Sequence, residues 1–322
     1  MAAAVFQNAR VLVTGATGLV GSALVRRLLE TGAEVHAFVL PQHEPESALV
    51  RSGNLRRIAV HTGRLEDPAS LAKAVHDSSP AFVFHLAAKP IVGTARADPV
   101  QTFEANIRGT WLLLEACRTL DRPPIVMVAS SDKAYGATEK LPYVETDPLG
   151  GVEPYDASKA ITDILAQSFG KTYGLPTRIA RCGNIYGIGD WNWSRIVPGT
   201  IRSLVAGERP VLRSDGTPVR DYVHVDDAAA AYCAMAAADE LPPGEAFNFS
   251  SGDRLTVREV VDLVTEAYGS GLQPVMLNEA KGEIAIQYLD STKARRTLGW
   301  QPKRRMRESL PEIVAWYREL LA

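Results

Sequence analysis

The feature that most constrains this chain is Thr14-Gly15-Ala16-Thr17-Gly18-Leu19-Val20-Gly21, near its start. The run follows a β-branched segment at 10–14 and opens a segment of helical period at 19–30, which Gly32 ends. Glycines at such a junction let the backbone turn tightly and approach a pyrophosphate, whose charge meets the first helix amides and the helix dipole. A strand-turn-helix of this kind belongs to an open parallel sheet, in which strands and helices alternate. The alternation is present. Residues 34–40, 57–61, 81–85, 125–129 and 177–181 read as strands two to six. Val100, Phe103, Ile107, Trp111 and Leu114 recur at spacings of three and four, one apolar face of a long helix, and another helix is expected at 155–173.

Beyond 183 the alternation loosens, with Gly, Pro and Trp denser up to 218, before helical patterns return at 256–268 and 306–321. The expected fold is α/β: a Rossmann-type doubly wound parallel sheet with a smaller, interwoven C-terminal substrate-binding lobe. Residues 1–182 form the dinucleotide-binding domain, to which about 218–240 returns, and 183–217 with 241–322 form the lobe. A net charge of -2 gives no reason to expect nucleic acid or an anionic membrane as partner. No apolar stretch approaches the roughly 20 residues that span a bilayer, and residues 1–7 lack the pattern of a signal peptide. Cys117, Cys182 and Cys233 are odd in number and widely spaced, fitting neither a disulfide framework nor a zinc site. A cytoplasmic protein without a metal is expected.

Two motifs carry the chemistry. Tyr155-Asp156-Ala157-Ser158-Lys159 puts Tyr155 and Lys159 on one helix face. A neighbouring ammonium there is expected to lower the tyrosine's pKa toward neutrality and make it a base for a hydroxyl. Ser130-Ser131-Asp132-Lys133-Ala134-Tyr135-Gly136 stands at the end of the fifth strand, where open α/β sheets hold ligands. A turn-capping Asp with a solvated Lys would have the same pattern. His85, before Leu86-Ala87-Ala88, reads as a structural strand histidine rather than a catalyst.

With the glycine turn, these motifs resemble the extended short-chain dehydrogenase/reductases that modify nucleotide sugars, over essentially the whole chain. Arg181-Cys182-Gly183-Asn184-Ile185-Tyr186-Gly187-Ile188-Gly189-Asp190-Trp191, Arg195-Ile196-Val197-Pro198, Gln287-Tyr288-Leu289-Asp290 and Leu298-Gly299-Trp300 are similar to the CDP-glucose 4,6-dehydratase pattern in particular. The resemblance implies NAD as cofactor and a nucleotide-diphosphate sugar as substrate, in deoxysugar synthesis. It implies catalysis by Ser131, Asp132, Lys133, Tyr155 and Lys159. Tyr155 would take the O4 proton while C4 gives up hydride; Asp132 and Lys133 would form the acid/base pair for loss of water from C5 and C6, and hydride would return to C6. Lys133 as base needs a depressed pKa, and a role in steadying an enolate is equally open.

The cofactor set implied is Gly15, Thr17, Gly18, Leu19, Val20, Arg64, Leu65, Leu86, Ala87, Ala88 and Asn106, besides Tyr155 and Lys159. Asn184, Arg195 and Arg220 would hold the substrate, Arg220 at its diphosphate. A homodimer built on the long helix and the Tyr155 helix is also implied. Three positions depart from the family pattern. Val39-Leu40-Pro41 stands where a ribose-binding acid should end the second strand, so NADP is not excluded. Arg64 replaces an acid in Gly63-Arg64-Leu65-Glu66-Asp67, and fits either a 2′-phosphate contact or a solvated charge. Lys281-Gly282-Glu283-Ile284 lacks an arginine often found there. Asp226 and Asp227 are expected to cap the helix that follows them, and Trp191 and Trp193 to stack on the base or pack the lobe. A 4-epimerase, an NADPH-dependent keto-sugar reductase and a non-catalytic nucleotide sensor are the rival readings.

Overall fold

The computed structural model describes residues 4–42, 47–279 and 284–321. Its strands are β1 (Arg10–Thr14), β2 (Glu34–Val39), β3 (Ala59–Thr62), β4 (Phe82–His85), β5 (Ile125–Ala129), β6 (Thr177–Cys182), β7 (Asn184–Tyr186), β8 (Val211–Leu212), β9 (Val219–His224), β10 (Glu245–Phe249), β11 (Asp253–Thr256) and β12 (Val275–Met276). Its helices begin with α1 (Leu19–Glu30), α2 (Ala48–Arg51), α3 (Pro68–Ser78), α4 (Val92–Ala97), α5 (Pro99–Phe103) and α6 (Gly109–Arg118). They continue with α7 (Pro154–Tyr173), α8 (Ile196–Val205), α9 (Val225–Ala237), α10 (Val257–Tyr268), α11 (Thr292–Leu298) and α12 (Met306–Leu321).

Seven strands form one sheet in the order β10-β6-β5-β4-β1-β2-β3, every pairing parallel. Both faces are covered, and alternation along β1 shows why. Val11 and Val13 point into a core with Leu24 and Leu28 of α1, while Leu12 points the other way onto Leu71 of α3 and Leu113 of α6. Strand order reverses between β1 and β4, and the crevice beyond their carboxyl ends is where such sheets take ligands.

The six strands expected from sequence are all present, and β10 adds a seventh. Glu245–Phe249 falls in the stretch assigned to the second lobe, yet it lies parallel to β6 at the edge of the large sheet. An edge strand more than sixty residues from its partner carries no local sign of which sheet it joins. The lobe itself has a small sheet, β11-β9-β7, and a core in which Ile201, Val260, Val264, Ile313 and Tyr317 meet. β9 therefore belongs to the small sheet, while α9, directly after it, packs on α1. Trp191 packs edge-on against Trp193 and Trp316, so it serves the lobe's aromatic core.

The long helix expected around 100–114 is α5 and α6 joined through a π-helical turn, Glu104–Arg108. Leu113, Leu114 and Cys117 face the sheet. Val100, Phe103 and Trp111 remain exposed, on the same bundle of helices as exposed Ile161 and Ile164 of α7. Among the described residues no helix is long and apolar enough to cross a membrane. The three cysteines are free and buried.

Candidate active site

A cleft of about 1250 Å³ runs along the carboxyl ends of the strands and into the lobe. One end is made of backbone. Gly15 adopts φ +71°, and a Cβ on it would stand 2.7 Å from the Ala87 nitrogen, while a Cβ on Gly21 would collide with the Gly15 carbonyl. Only glycine lets β1, α1 and the Leu86-Ala87-Ala88 segment close up in this way. Gly15, Thr17, Gly18, Leu19, Val20, Leu65, Leu86, Ala87 and Ala88 all line the cleft here. This bare turn at the start of α1 fits the pyrophosphate of a dinucleotide.

Thr14 and His85 brace the turn from below. The His85 ring shares hydrogen bonds with the hydroxyls of Thr14 (2.9 Å) and Thr110 (3.0 Å), and the Thr14 hydroxyl accepts from the Ala87 amide. Burial pushes the imidazole down to about 3, so His85 is a neutral structural group. At the end of β2, Phe38, Val39 and Leu40 line the cleft and supply no carboxylate. Arg64 stands off the cleft wall, paired at 2.7 Å with Glu66 and more than half exposed. Asn106 is likewise occupied elsewhere: its amide bonds both backbone groups of Lys89 and donates to Ser158 at 2.9 Å. It pins the β4 loop to α7.

The other end is made of side chains. β5 delivers Ser131 to a short 3₁₀ turn, Asp132–Tyr135, whose N-cap is the Ser131 hydroxyl, accepting from the Lys133 amide. The same hydroxyl donates to Asp132 Oδ1 at 2.9 Å. Asp132 is 1% exposed and its Oδ2 has no hydrogen-bond partner. Burial raises its pKa, against the pull of Lys133, Ser131 and Arg220. Gln287, from the tail motif, donates to the Asp132 carbonyl at 3.0 Å and so ties the lobe to the turn. Ser131 and Lys133 line the cleft; Asp132 lies just behind them.

Tyr155 and Lys159 rise from the first turns of α7 into the same cleft. The Tyr155 phenol is pushed up to about 12 by burial, with Arg195 and a Ser131 hydrogen bond acting to lower it. That corrects the expectation of a tyrosine lowered by its lysine. Lys159 turns its ammonium to the Ala129 carbonyl at 2.8 Å, and burial brings its own pKa down to about 8. The helix is held in place by a buried pair. Arg181 on β6 bonds both oxygens of Asp163 on α7 at 2.8 and 2.9 Å, and donates to the Tyr135 hydroxyl at 2.8 Å. Asn184 on β7, Arg195 at the start of α8 and Arg220 on β9 also line the cleft. Arg195 pairs with Asp190 at 3.3 Å, and Arg220 is 4% exposed.

Two expectations change beyond the cleft. His224, not Asp226 or Asp227, caps α9, its Nδ1 accepting from the Asp226 amide. Asp226 pairs with Arg26, and Asp227 accepts from the Lys303 and Arg304 amides at 2.9 to 3.0 Å. Lys281 to Glu283 lie outside the described residues. Sequence reasoning passed over Asp156, which lines the cleft beside Tyr155 and whose pKa burial lifts to about 6. Its only signal was an acid in a first helical turn, a placement that the helix dipole alone would account for.

The model of the NAD dependent epimerase/dehydratase family matches residues 11–250, and the chain belongs to that family. NAD is the family's cofactor, and the glycine turn fits it. Among relatives, the CDP-glucose 4,6-dehydratase of Salmonella typhimurium is 30% identical, over 97% of this chain and 91% of its own. The solved dTDP-glucose 4,6-dehydratase of Streptomyces venezuelae, with NAD bound, is 30% identical with a TM-score of 0.87, covering 96% of this chain and 97% of its own. The UDP-glucose 4-epimerase of Thermotoga maritima, solved with UDP-glucose, matches equally, at 30% identity and TM-score 0.87 over 97% and 99%.

Proposed function

We propose that the protein is an NAD-dependent nucleotide-sugar 4,6-dehydratase of the CDP-glucose type, making a 4-keto-6-deoxy sugar. The observation that carries this reading is Asp132, buried beside Tyr155 with an oxygen to spare and a raised pKa. Burial raises the pKa of this carboxyl and so favours the protonated form, which can give its proton to a departing hydroxyl. Ser131 stands between it and Tyr155, which as the phenolate takes the proton of the 4-hydroxyl; Arg195 and the Ser131 hydrogen bond favour that form against burial. NAD, when bound, takes up hydride from the sugar and gives it back. Arg195 and Arg220 supply the positive end that a diphosphate needs. The equal likeness to a 4-epimerase favours one rival, in which Tyr155 and Ser131 act as here and Asp132 has no task.

We further read the exposed Val100, Phe103, Trp111, Ile161 and Ile164 as a face covered by a second copy, giving a cytoplasmic homodimer. The deciding experiment incubates the holoenzyme with CDP-glucose, and in parallel with UDP-, GDP- and dTDP-hexoses. Loss of about 18 mass units with hydride found at C6 and no net reduced cofactor supports the dehydratase. Unchanged mass with inverted C4 would replace it by the epimerase.

A further inference from the structure

Water loss from C5 and C6 needs a proton acceptor as well as the Asp132 donor. An amine accepts a proton only when uncharged. Lys133 sits in the field of Asp156, whose ionised carboxylate favours its ammonium form. Asp156 follows Tyr155 in the first turn of α7. It is 7% exposed, lines the cleft with Ser131, Lys133 and Tyr155, and its Oδ1 has no hydrogen-bond partner. Gly151 permits the placement, since a Cβ there would stand 2.8 Å from the Asp156 Cβ.

We infer, on the dehydratase reading, that Asp156 rather than Lys133 is the base that takes the C5 proton. The C5–H bond breaks with its proton passing to an Asp156 carboxylate oxygen. Its electron pair enters an enolate on the C4 ketone, steadied by the Lys133 ammonium. The pair then forms the C5–C6 double bond as the C6–O6 bond breaks, and O6 leaves as water on the Asp132 proton. Return of hydride to C6 and of a proton, exchanged with solvent on Asp156, to C5 saturates the double bond. Tyr155, a phenolate before it takes the O4 proton, gives that proton up to solvent, and Asp132 regains one from solvent, so every group ends as it began.

The groups facing Asp156 come from three places: Lys133 and Asp132 from the turn after β5, Glu153 from the head of its own helix, and Arg96 from α4. Burial dominates and brings the carboxyl to about 6; Lys133 and Arg96 oppose the rise, while Asp132 and Glu153 add to it. Asp156 is then ionised at neutral pH yet a stronger base than a solvated carboxylate.

The test uses holoenzyme with CDP-glucose and with dTDP-glucose in deuterium oxide. Asp156→Asn is expected to keep C4 oxidation, seen as absorbance of bound reduced nicotinamide. Water loss and deuterium entry at C5 should fall about 100-fold or more. Lys133→Met should slow elimination while deuterium still enters. Wild-type kcat should drop about tenfold per pH unit on the acid side, with a limb that Asp156→Glu moves. Deuterium entering at the wild-type rate in Asp156→Asn but not in Lys133→Met overturns the assignment. Should Asp156→Asn lose C4 oxidation too, Asp156→Glu decides, and an unmoved acid limb overturns it. A wild type that removes no water from either sugar nucleotide brings down the dehydratase reading, and the base falls with it.

Discussion

The two ends of the cleft are built on different principles. The dinucleotide end is a matter of backbone: Gly15 and Gly21 lack a Cβ where one would strike Ala87 or the Gly15 carbonyl, and the apolar wall carries no charge. The other end is a matter of buried side chains. Asp132, Asp156 and Lys159 have pKa values shifted by burial, and they come from segments that meet only in the fold. A site made of backbone demands particular residues in one short run. A site made of buried charge demands neighbours, and neighbours are supplied from anywhere in the chain.

Substitutions at the two ends should therefore separate binding from turnover. The largest effect is expected from Tyr155→Phe, which removes the proposed proton acceptor while keeping the ring. Turnover should fall about 10²–10⁴-fold, with NAD binding by calorimetry close to wild type. Gly15→Ala should do the reverse. Placing a side chain at φ +71° against Ala87 costs on the order of 1–3 kcal/mol, so NAD should bind about tenfold more weakly or worse. If Gly15→Ala spared NAD binding, the backbone account of that end would be wrong.

Both ends share a support, the Arg181–Asp163 pair, so its loss should damage the whole molecule rather than one end. Arg181→Met leaves a buried carboxylate uncompensated and should cost about 3–5 kcal/mol in denaturant unfolding. A smaller, pH-dependent effect is expected at Asp221, fully buried near the site, whose carboxyl burial lifts to about 7. Its folded pKa lies above its unfolded one, so the folded state binds the proton more tightly. Stability contributed by this group is present at low pH and is lost as pH rises toward and through about 7. Asp221→Asn should accordingly raise the melting temperature at pH 8 and change it little at pH 4. The smallest effect belongs to Arg64→Ala. With its charge in solvent on Glu66, stability should move by less than about 0.5 kcal/mol, and the preference between NAD and NADP should not change.

Much of this was legible before the fold was known. The glycine turn, the six strands and the helix bearing Tyr155 and Lys159 follow from local pattern, because glycine geometry and helical period act over a few residues. α12 has the bounds its periodicity suggests, Met306–Leu321. What could not be read depends on distance in the chain. β10 joins β6 across more than sixty residues, Gln287 reaches the Asp132 carbonyl, and Asp227 holds the backbone at Lys303 and Arg304. The stripe from Val100 to Trp111 reads alike whether it faces a sheet or solvent, and the fold leaves it exposed.

The sequence by itself determined a doubly wound sheet and a dinucleotide turn, and put Tyr155 and Lys159 on one helix face, since each is specified by residues close together in the chain. The tertiary structure decided the surroundings that shift the pKa values of those two groups. Tyr155 and Lys159 are four residues apart on one helix face, yet the ammonium turns to the Ala129 carbonyl and burial raises the phenol. It also decided that Asp156, an ordinary helix-start acid in sequence, stands in the cleft beside Lys133. Spacing sets which side chains share a face, but the dielectric and the charges around them are set by the whole fold.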